Sequence, residues 1–392
     1  MQTSDFWQNF VNKQVTFRYM RQELQFNLSQ SLFSSADVDI GSRFLLRTIA
    51  QNVEIAEISS MLDIGCGVGV LGLSLKRINP AMQVTAQDRD ALAVTFTTQN
   101  ALLNEIEGVV VQGGLAFDGL AGRQFDLIVS NLPGKAGHAV LQDMVRRMPA
   151  YLSESGLAAV VIVKPLAELV AETLVEMESE ILHRKEASGY EVFHFKGGNV
   201  AQLDGEAYLA PYMRNTQLFK LGKQKVEMQT AWNLPEFDSL AYDTALAINA
   251  LKQKPVSGRV LFWNPGQGHL PVYLREQIAE FVLAGRDGLS LQMAAMNLRR
   301  VGVADISQQH VAHFLQASGQ YDWLIIFPDM DAGVAWETYL LPYCRDLLAP
   351  GGRLLLVAKS AYTHRLLQKK RGLHVKFDRK RNGYRAVILA KA

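Results

Sequence analysis

The stretch Met61-Leu-Asp-Ile-Gly-Cys-Gly-Val-Gly-Val-Leu71 joins an apolar run to a turn with three glycines, beyond which apolar residues continue. Such a short apolar run is typical of a buried parallel strand, and the residues after the last glycine fit the start of a helix. Glycines at this junction let the backbone bend tightly and approach a ligand without an intervening side chain. The stretch therefore predicts a strand, a ligand-binding turn and a helix of an α/β fold.

Strand-like runs alternate with helical stretches on either side of this turn. In the first half the pattern predicts strands near 59–64, 82–87, 108–112, 125–130, 157–163 and 190–195, with helices such as 69–78, 90–103 and 137–150 between them. This alternation predicts a mostly parallel sheet that is covered by helices on both faces. The last two strands of each half, around Gly189 and Gly383, predict an antiparallel hairpin that closes the sheet.

The chain contains a weak internal repeat with an offset of about 200 residues. Four segments recur in the same order: 61–71 with 260–270, 125–129 with 321–325, 151–164 with 346–359, and 189–190 with 383–384. A self-similar chain indicates a duplicated unit, and 392 residues are enough for two domains. We therefore predict domains over residues 1–200 and 201–392. Residues 1–50 and 207–250 are expected to precede their sheets as helical or irregular lead-ins.

Composition excludes several classes of protein. The formal charge of +2, from 40 Lys and Arg against 38 Asp and Glu, does not by itself indicate a nucleic-acid binder. Basic residues do cluster at 369–371 and 379–381, where a solvated face and an RNA or phosphate contact surface both stay open. Two cysteines, Cys66 and Cys344, exclude a disulfide framework and a CxxC zinc site.

Targeting signals are the next feature that the sequence addresses. The first residues, MQTSDFWQNF, lack the basic start and apolar core of a signal peptide. No apolar run reaches the ~18 residues that a membrane span needs. We therefore expect a cytoplasmic protein without a membrane partner, as a monomer or weak dimer.

Two acids flank the glycine turn. Asp63 ends the strand before the turn, where it suits the ammonium of S-adenosylmethionine (SAM), and Asp88 follows the next strand about 20 residues beyond the glycines. A carboxylate at the second position accepts both hydroxyls of a ribose. A dinucleotide stays possible, because its ribose acid has the same spacing. It is disfavoured because Asp63 would repel a pyrophosphate.

These residues, with Asn131-Leu-Pro133 after the fourth strand, resemble the motifs of class I SAM-dependent methyltransferases. The run Phe33–Arg43 is similar to the lead-in of the ribosomal RNA guanine-N2 methyltransferases, which are also tandem domains, one active and one degenerate. The resemblance covers the first half well and the second half only as architecture. It implies two tandem Rossmann-like domains with seven-stranded sheets, and SAM as methyl donor with S-adenosylhomocysteine as product, without a metal.

The resemblance also implies roles for individual residues. Cofactor-binding candidates lie at the ends of neighbouring strands and in the glycine turn: Asp63, Gly65, Cys66, Gly67, Gly69, Asp88, Arg89, Gly114 and Asn131. The catalytic candidates are Asn131, Leu132 and Pro133. In this pattern the Asn oxygen and the next backbone carbonyl accept the two N–H bonds of an exocyclic base amine, which aims its lone pair at the methyl group. Substrate candidates are Phe33, Arg43 and Lys135.

The chain departs from the family pattern in the same segment. Leu132 replaces the first proline of Asn-Pro-Pro, which leaves the backbone carbonyl in place, and Gly134 replaces the aromatic residue that would stack on a flipped base. Either another side chain such as Phe33 provides the stacking surface, or the substrate is not a base. Gln112-Gly113-Gly114 stands where the family carries an Asp or Asn for the adenine amine.

The second half has lost the polar groups of this pocket. We therefore predict that it does not bind SAM and that it acts as a scaffold or docks substrate through its basic C-terminal segment. In the rRNA enzymes the degenerate half precedes the active one, whereas here it follows. The corresponding positions are Phe262 for Asp63, Asn264 for Gly65, Pro265 for Cys66, Gly285 or Arg286 for Asp88, and Ile326 or Phe327 for Asn131.

The sequence leaves three functional hypotheses. The leading one is a base N-methyltransferase that acts on guanine N2 of ribosomal RNA, with RNA or a ribosomal subunit as partner. The second, which Gly134 motivates, is a methyltransferase for a small molecule or a protein side chain. The third is a non-catalytic RNA-binding or assembly module that keeps SAM as a structural ligand.

Overall fold

A computed structural model describes residues 3–33, 36–199, 207–252 and 254–391. The chain divides into two compact units, one of residues Phe10–Tyr212 and one of Met1–Asn9 with Met213–Ala392. The boundary predicted between residues 200 and 201 lies outside the described residues. Residues 1–9, expected in the first domain, group with the second unit, because Phe6 is buried against His313, Trp336 and Tyr339 with ring centroids 4.8–5.2 Å apart.

The first unit contains a seven-stranded sheet with the strand order β5-β4-β3-β6-β7-β9-β8. Its strands are β1 (Lys13–Tyr19), β2 (Gln22–Leu28), β3 (Ser60–Ile64), β4 (Gln83–Asp88), β5 (Val109–Gly113), β6 (Phe125–Asn131), β7 (Leu152–Val163), β8 (Glu180–Ala187) and β9 (Tyr190–Lys196). Its α-helices are α1 (Ile40–Asn52), α2 (Val70–Ile78), α3 (Ala91–Leu103), α4 (His138–Arg147) and α5 (Ala167–Glu176). Strands β3 to β7 run parallel, and β9 is antiparallel to both β7 and β8.

The second unit repeats this sheet in the order β14-β13-β12-β15-β16-β18-β17. Its strands are β10 (Met213–Leu221), β11 (Gln224–Ala231), β12 (Arg259–Trp263), β13 (Glu280–Gly285), β14 (Ile306–His310), β15 (Tyr321–Ile326), β16 (Leu348–Lys359), β17 (Leu373–Arg381) and β18 (Tyr384–Lys391). Its α-helices are α6 (Tyr242–Leu251), α7 (His269–Tyr273), α8 (Gly288–Arg300), α9 (Trp336–Leu347) and α10 (Ser360–Leu367). Two seven-stranded, mostly parallel sheets with antiparallel terminal strands confirm the predicted fold class.

The duplication extends to individual hydrogen bonds. In the first unit Asn100 on α3 donates to the carbonyl of Val68 in the glycine turn (2.9 Å), and its Oδ1 accepts from the backbone of Asn27 (2.9 Å). In the second unit Asn297 on α8 donates to the carbonyl of Gln267 (2.8 Å) and accepts from the backbone of Gln229 (2.9 Å). One buried asparagine thus ties helix, turn and lead-in together in each unit.

The lead-ins differ from the expectation of helical or irregular chain. Each contains an antiparallel hairpin, β1–β2 in the first unit and β10–β11 in the second. Strand β2 alternates in burial, with Leu24, Phe26 and Leu28 buried between exposed or half-buried polar residues. This is the period of two that marks a strand with one buried face. This alternation is visible in the sequence, so the prediction of a helical or irregular lead-in was wrong.

No helix among the described residues has both the length and the apolar character needed to cross a membrane.

Candidate functional site

The site lies at the carboxyl edge of the first sheet, where three neighbouring strands end. Asp63 lies near the end of β3, Asp88 ends β4 and Asn131 ends β6. Because β3 pairs with β4 on one side and β6 on the other, the sheet brings these side chains to one edge. The chain order reverses here, and in open α/β sheets ligands bind at this switch point.

The glycine turn leaves open space between the acids. Gly69 has a φ of +88° and caps the start of α2, a left-handed conformation that disfavours any side chain. A Cβ atom placed on Gly65 or Gly67 would meet no other heavy atom within 4 Å. Cys66 is buried, and its Sγ accepts a hydrogen bond from Thr97 at 3.4 Å, so its side chain packs on α3. The turn thus presents backbone to the space beside it.

Asp63 provides a buried carboxylate with one unused oxygen. Its side chain is 1% exposed, and Oδ2 accepts a hydrogen bond from the backbone of Gly72 at 2.8 Å. Its Oδ1 is buried and has no hydrogen-bond partner. Burial, with a smaller contribution from the charge of Asp88, raises the pKa of Asp63 to about 7. A buried acceptor without a donor is costly, so this oxygen fits a ligand that supplies an ammonium.

Asp88 shapes the other end of the space. Its Oδ2 accepts from the backbone of Gly67 at 3.0 Å and its Oδ1 from the backbone of Asp90 at 2.9 Å. Burial, followed by the charge of Asp90, raises the pKa of Asp88 to about 6, and the neighbouring Arg89 opposes that rise. Gly114 donates its N–H to the carbonyl of Asp88 at 3.0 Å. Each carboxylate oxygen keeps capacity for a further donor, as the hydroxyls of a ribose require.

Asn131 is held by groups that sequence reasoning did not select. Its Nδ2 donates to Asp39 Oδ2 at 2.8 Å and to Ser42 Oγ at 3.1 Å, and Tyr190 donates its hydroxyl to Asp39 Oδ1 at 3.2 Å. Asp39 also caps α1 by accepting from the backbone of Ser42 at 3.1 Å. An ionised carboxylate accepts only, so it fixes the asparagine with its amide nitrogen inward and Oδ1 available.

The signal for Asp39 was present in the sequence. An aspartate directly before a helical run is typical of a helix N-cap, and Asp39 lies inside the quoted run Phe33–Arg43. Nothing local indicates that the same carboxylate meets Asn131, which lies 92 residues away, or Tyr190, which lies 151 residues away.

The other predicted catalytic residues lie directly after Asn131. Leu132 is buried and donates its N–H to the carbonyl of Val161 at 2.9 Å, which continues the β6–β7 pairing beyond the strand. Pro133 is exposed. A Cβ on Gly134 would lie 3.3 Å from Val163 Cγ2 and 3.5 Å from Leu166 Cδ1. Both neighbours are aliphatic, so neither Gly134 nor these two side chains offer an aromatic ring for stacking. The roles predicted for this segment stay predictions.

The three predicted substrate residues lie in different surroundings. Phe33 is 71% exposed, and Lys135 is exposed with no ion pair among the described residues. Arg43 donates to Asp37 Oδ1 at 2.8 Å and to the carbonyl of Val38 at 3.1 Å, and its guanidinium lies 5.0 Å from the Phe17 ring centroid. The structure therefore gives Arg43 a local structural role, while Phe33 and Lys135 stay accessible.

The corresponding edge of the second sheet has a cavity of about 210 Å³ whose lining includes Phe262, Asn264 and Phe327, and it has no acid at the positions that match Asp63 and Asp88. Asn264 stands at the position of Gly65 with a φ of +56°, and its Nδ2 donates to the carbonyl of Phe327 (3.0 Å) and to Asp329 Oδ1 (2.8 Å). Its Oδ1 lies 3.2 Å from where a Cβ of Gly285 would be. Gly285 ends β13 as Asp88 ends β4, so these two positions correspond. Strand β15 ends at Ile326 and Phe327 follows it, whereas Asn131 is the last residue of β6. The space that Gly65 leaves open is here occupied by an amide.

The described ranges contain no cluster of three or more His, Cys, Asp or Glu side chains arranged to hold a metal ion.

Part of the first unit is similar to a known family of domains. Residues 23–194 match the model of the methyltransferase small domain. The matched range includes Asp63, the glycine turn, Asp88 and Asn131, so the whole edge described above lies inside the part of the chain that is similar to this domain.

Curated relatives match the same part of the chain. Ribosomal RNA small subunit methyltransferase C of Mannheimia succiniciproducens is 31% identical over 144 residues, 37% of this chain and 40% of the relative. The proteins of that name from Serratia proteamaculans and Actinobacillus pleuropneumoniae are 34% identical over 115 residues and 31% identical over 152 residues. They cover 29% and 38% of this chain. The chain thus aligns with only 31–45% of the length of these relatives.

A solved structure resembles the whole chain. The T. thermophilus 16S rRNA N2 G1207 methyltransferase, in complex with AdoMet and guanosine, superposes with a TM-score of 0.66 over 100% of both chains, at 17% identity. At this identity the likeness concerns the fold. It shows that a tandem arrangement of two such units occurs in a known protein.

Proposed function

We propose that the chain is a SAM-dependent methyltransferase that acts on the exocyclic N2 amine of guanine in ribosomal RNA, in the cytoplasm. The observation that carries this proposal is the amide of Asn131 at the end of β6, which Asp39 holds through its nitrogen so that Oδ1 is left as an acceptor. The names of the curated relatives and the ligands of the T. thermophilus neighbour support the same reaction.

The residues present fit SAM on grounds of chemistry. The unpartnered Asp63 Oδ1 suits an ammonium, the glycine turn leaves room at Gly65 and Gly67, and Asp88 suits ribose hydroxyls. When bound, SAM supplies an electrophilic methyl group and its own leaving group. Among the predicted contacts, Gly69 caps α2, while Arg89 and Gly114 lie at the ends of the strands beside Asp88.

The protein's own part in the reaction is to orient the amine. Asn131 Oδ1 and the carbonyl of Leu132 accept the two N–H bonds, which directs the nitrogen lone pair at the methyl carbon. The N–C bond forms as the C–S bond breaks, its electron pair stays on sulfur, and the amine then releases one proton to solvent. Preorganised acceptors of this kind act because they need no rearrangement during the reaction.

The test is methyl transfer from labelled SAM to ribosomal RNA that lacks the modification, followed by nucleoside analysis. N2-methylguanosine is the expected product, and Asn131→Ala should abolish its formation while SAM binding stays nearly unchanged. Full activity of Asn131→Ala would remove this residue from the mechanism.

The absence of an aromatic surface at Gly134 favours one alternative, a methyltransferase for a small molecule or a protein side chain. Incubation of the protein and labelled SAM with a methylation-deficient extract separates the two. Label in RNA supports the base methyltransferase, and label only in protein or metabolites supports the alternative. Tight SAM binding without transfer to any fraction would instead indicate the non-catalytic module.

A further inference from the structure

The terminal hairpins of the two sheets occupy the same place in a duplicated fold but carry different charge. Strand β8 is the edge strand of the first sheet, and β17 is the edge strand of the second. Strand β8 contains two acidic residues, one arginine and one lysine, whereas β17 contains four Lys or Arg residues and one aspartate. The preceding turn adds Lys369-Lys370-Arg371. Because the two strands occupy the same position, β8 shows which charges an edge strand of this fold needs, and β17 can be compared with it.

Charges near the first hairpin are mostly paired. Glu186 accepts from Lys164 at 2.5 Å, Glu180 lies 3.2 Å from Lys196, and Arg184 pairs with Glu191 and Glu168. An edge strand needs charged side chains to discourage pairing with other sheets. In the first unit, charged side chains that are mostly in ion pairs and nearly balanced in sign protect the edge strand. The excess of positive charge on β17 is therefore not needed for this protection.

The cations of the second hairpin are mostly unpaired. Asp378 is the partner of Arg385, at 2.5 Å, and Arg379 donates to Asn249 on α6 at 2.7 Å. The remaining basic side chains of the segment are exposed, and none lies within ion-pair distance of a described carboxylate: Lys369, Lys370, Arg371, Lys376, Lys380 and Arg381. Exposed like charges held together without counter-charges repel one another, and a polyanion relieves that repulsion.

We propose that the turn 369–371 with strand β17, here called the basic edge, is a docking surface for the RNA backbone. Alternate residues on a strand face the same side, so Lys376 and Lys380 lie about 13 Å apart on the face opposite Phe377, which packs on the core. Asp378 lies between them and pairs with Arg385. Contacts of this type fix the position of the nucleic acid without reading its sequence. The second unit, which lacks the acids of the SAM pocket, would thus contribute substrate binding. The choice of RNA rests on the proposed function.

The experiment measures binding of a fluorescent ribosomal RNA stem–loop to the full chain by anisotropy between 50 and 200 mM salt. The variant Lys376→Gln/Lys380→Gln/Arg381→Gln should bind at least ~10-fold more weakly at low salt. Its slope of log affinity against log salt should fall by roughly two units, since each phosphate contact contributes about 0.7 to 0.9. The control Arg21→Gln/Arg47→Gln/Lys185→Gln removes three exposed cations from the first unit and should change the slope by less than ~1 unit.

Each result has a defined meaning. Equal losses in both triple variants would show that net charge alone is responsible and would overturn the basic edge. Equally tight binding of the wild type to phosphatidylserine vesicles, lost in the basic-edge variant, would overturn RNA as the partner. If no methyl transfer is found but the basic-edge variant alone loses RNA binding, the proposed reaction fails and the docking surface stands.

Discussion

The amide of Asn131 and the carboxylate of Asp39 are joined by a hydrogen bond of 2.8 Å from Nδ2 to Oδ2. Asp39 belongs to the lead-in and Asn131 to the end of β6, so two distant segments meet at one atom pair. The bond fixes which end of the amide points away from the protein. The orientation of the acceptor that the reaction needs is therefore built by the lead-in.

We expect Asp39→Asn to lower kcat by roughly 10- to 100-fold, because an asparagine at position 39 can present either an acceptor or a donor and no longer fixes the amide of Asn131. The N-cap of α1 is retained, since asparagine caps helices as well as aspartate does. Steady-state kinetics with RNA substrate and calorimetry with SAM measure the two effects separately. Tyr190→Phe, which removes a 3.2 Å hydrogen bond to the same carboxylate, should have a smaller effect on kcat. An unchanged kcat in Asp39→Asn would show that the amide is oriented without it.

Asp63 should make SAM affinity depend on pH. Its pKa in the free protein is raised to about 7 by burial, so the carboxyl is protonated below that pH and loses its attraction for an ammonium. SAM affinity should therefore fall as pH is lowered from 8 to 6, approaching ~10-fold per pH unit below the pKa. Calorimetry across this range measures it. Asp63→Asn should bind weakly and lose the inflection near pH 7, whereas Asp88→Asn should keep an inflection that moves to lower pH, because the charge of Asp88 contributes to the raised pKa of Asp63. A flat profile in the wild type would contradict the role of Asp63.

The same carboxyl should lower the stability of the ligand-free protein at alkaline pH. Its folded pKa of about 7 exceeds the unfolded value of roughly 3.9, so the stability gained by protonation is complete below the unfolded value and lost as pH rises through 7. Asp63→Asn should therefore raise the Tm at pH 8 by a few degrees, since ~1 kcal/mol shifts Tm by ~2–4 °C for a domain of this size. Thermal unfolding at pH 8 and pH 5 measures this. An equal Tm difference at both values would point to a cause other than ionisation.

SAM should bind with a stoichiometry of one per chain. The space beside Gly65 is flanked by Asp63 and Asp88, whereas the cavity of the second unit has Phe262 at the position of Asp63 and Asn264 at the position of Gly65, where the amide bonds to Phe327 and Asp329. Calorimetry should give one site, which Asp63→Ala/Asp88→Ala removes. As a control, Asn264→Ala should keep the wild-type stoichiometry. A second site that survives loss of the first would show that the second unit still binds the cofactor.

Phe33 should contribute to RNA binding rather than to folding. It is 71% exposed, so Phe33→Ala should leave the Tm nearly unchanged. If Phe33 replaces the aromatic residue that Gly134 lacks, KM for RNA should rise by roughly 5- to 100-fold, because base stacking contributes ~1–3 kcal/mol. Phe33→Trp keeps a stacking surface and should preserve KM. An unchanged KM in Phe33→Ala would assign stacking to another group.

Much of the site could be predicted because the chemistry sits at strand ends. Each of the three polar residues Asp63, Asp88 and Asn131 ends an apolar run, so the local pattern alone places it at the end of a strand. Parallel strands bring their carboxyl ends to one edge of the sheet, whatever the details of packing. The repeat likewise revealed the tandem fold, and the loss of acids in the second half was visible by direct alignment. These inferences need only the spacing of apolar residues along the chain and the order of the strands and helices.

Three features required the tertiary structure. The contacts of Asp39 with Asn131 and Tyr190, the pairing of Arg43 with Asp37, and the amide of Asn264 across the second edge all join side chains whose positions depend on packing. Local pattern fixes where a residue lies along a strand or helix, but not which distant side chain meets it. The amino-acid sequence alone thus determined the two folds and the strand ends that carry the acids, whereas the packing of the lead-in against the sheet decided how the central amide is oriented.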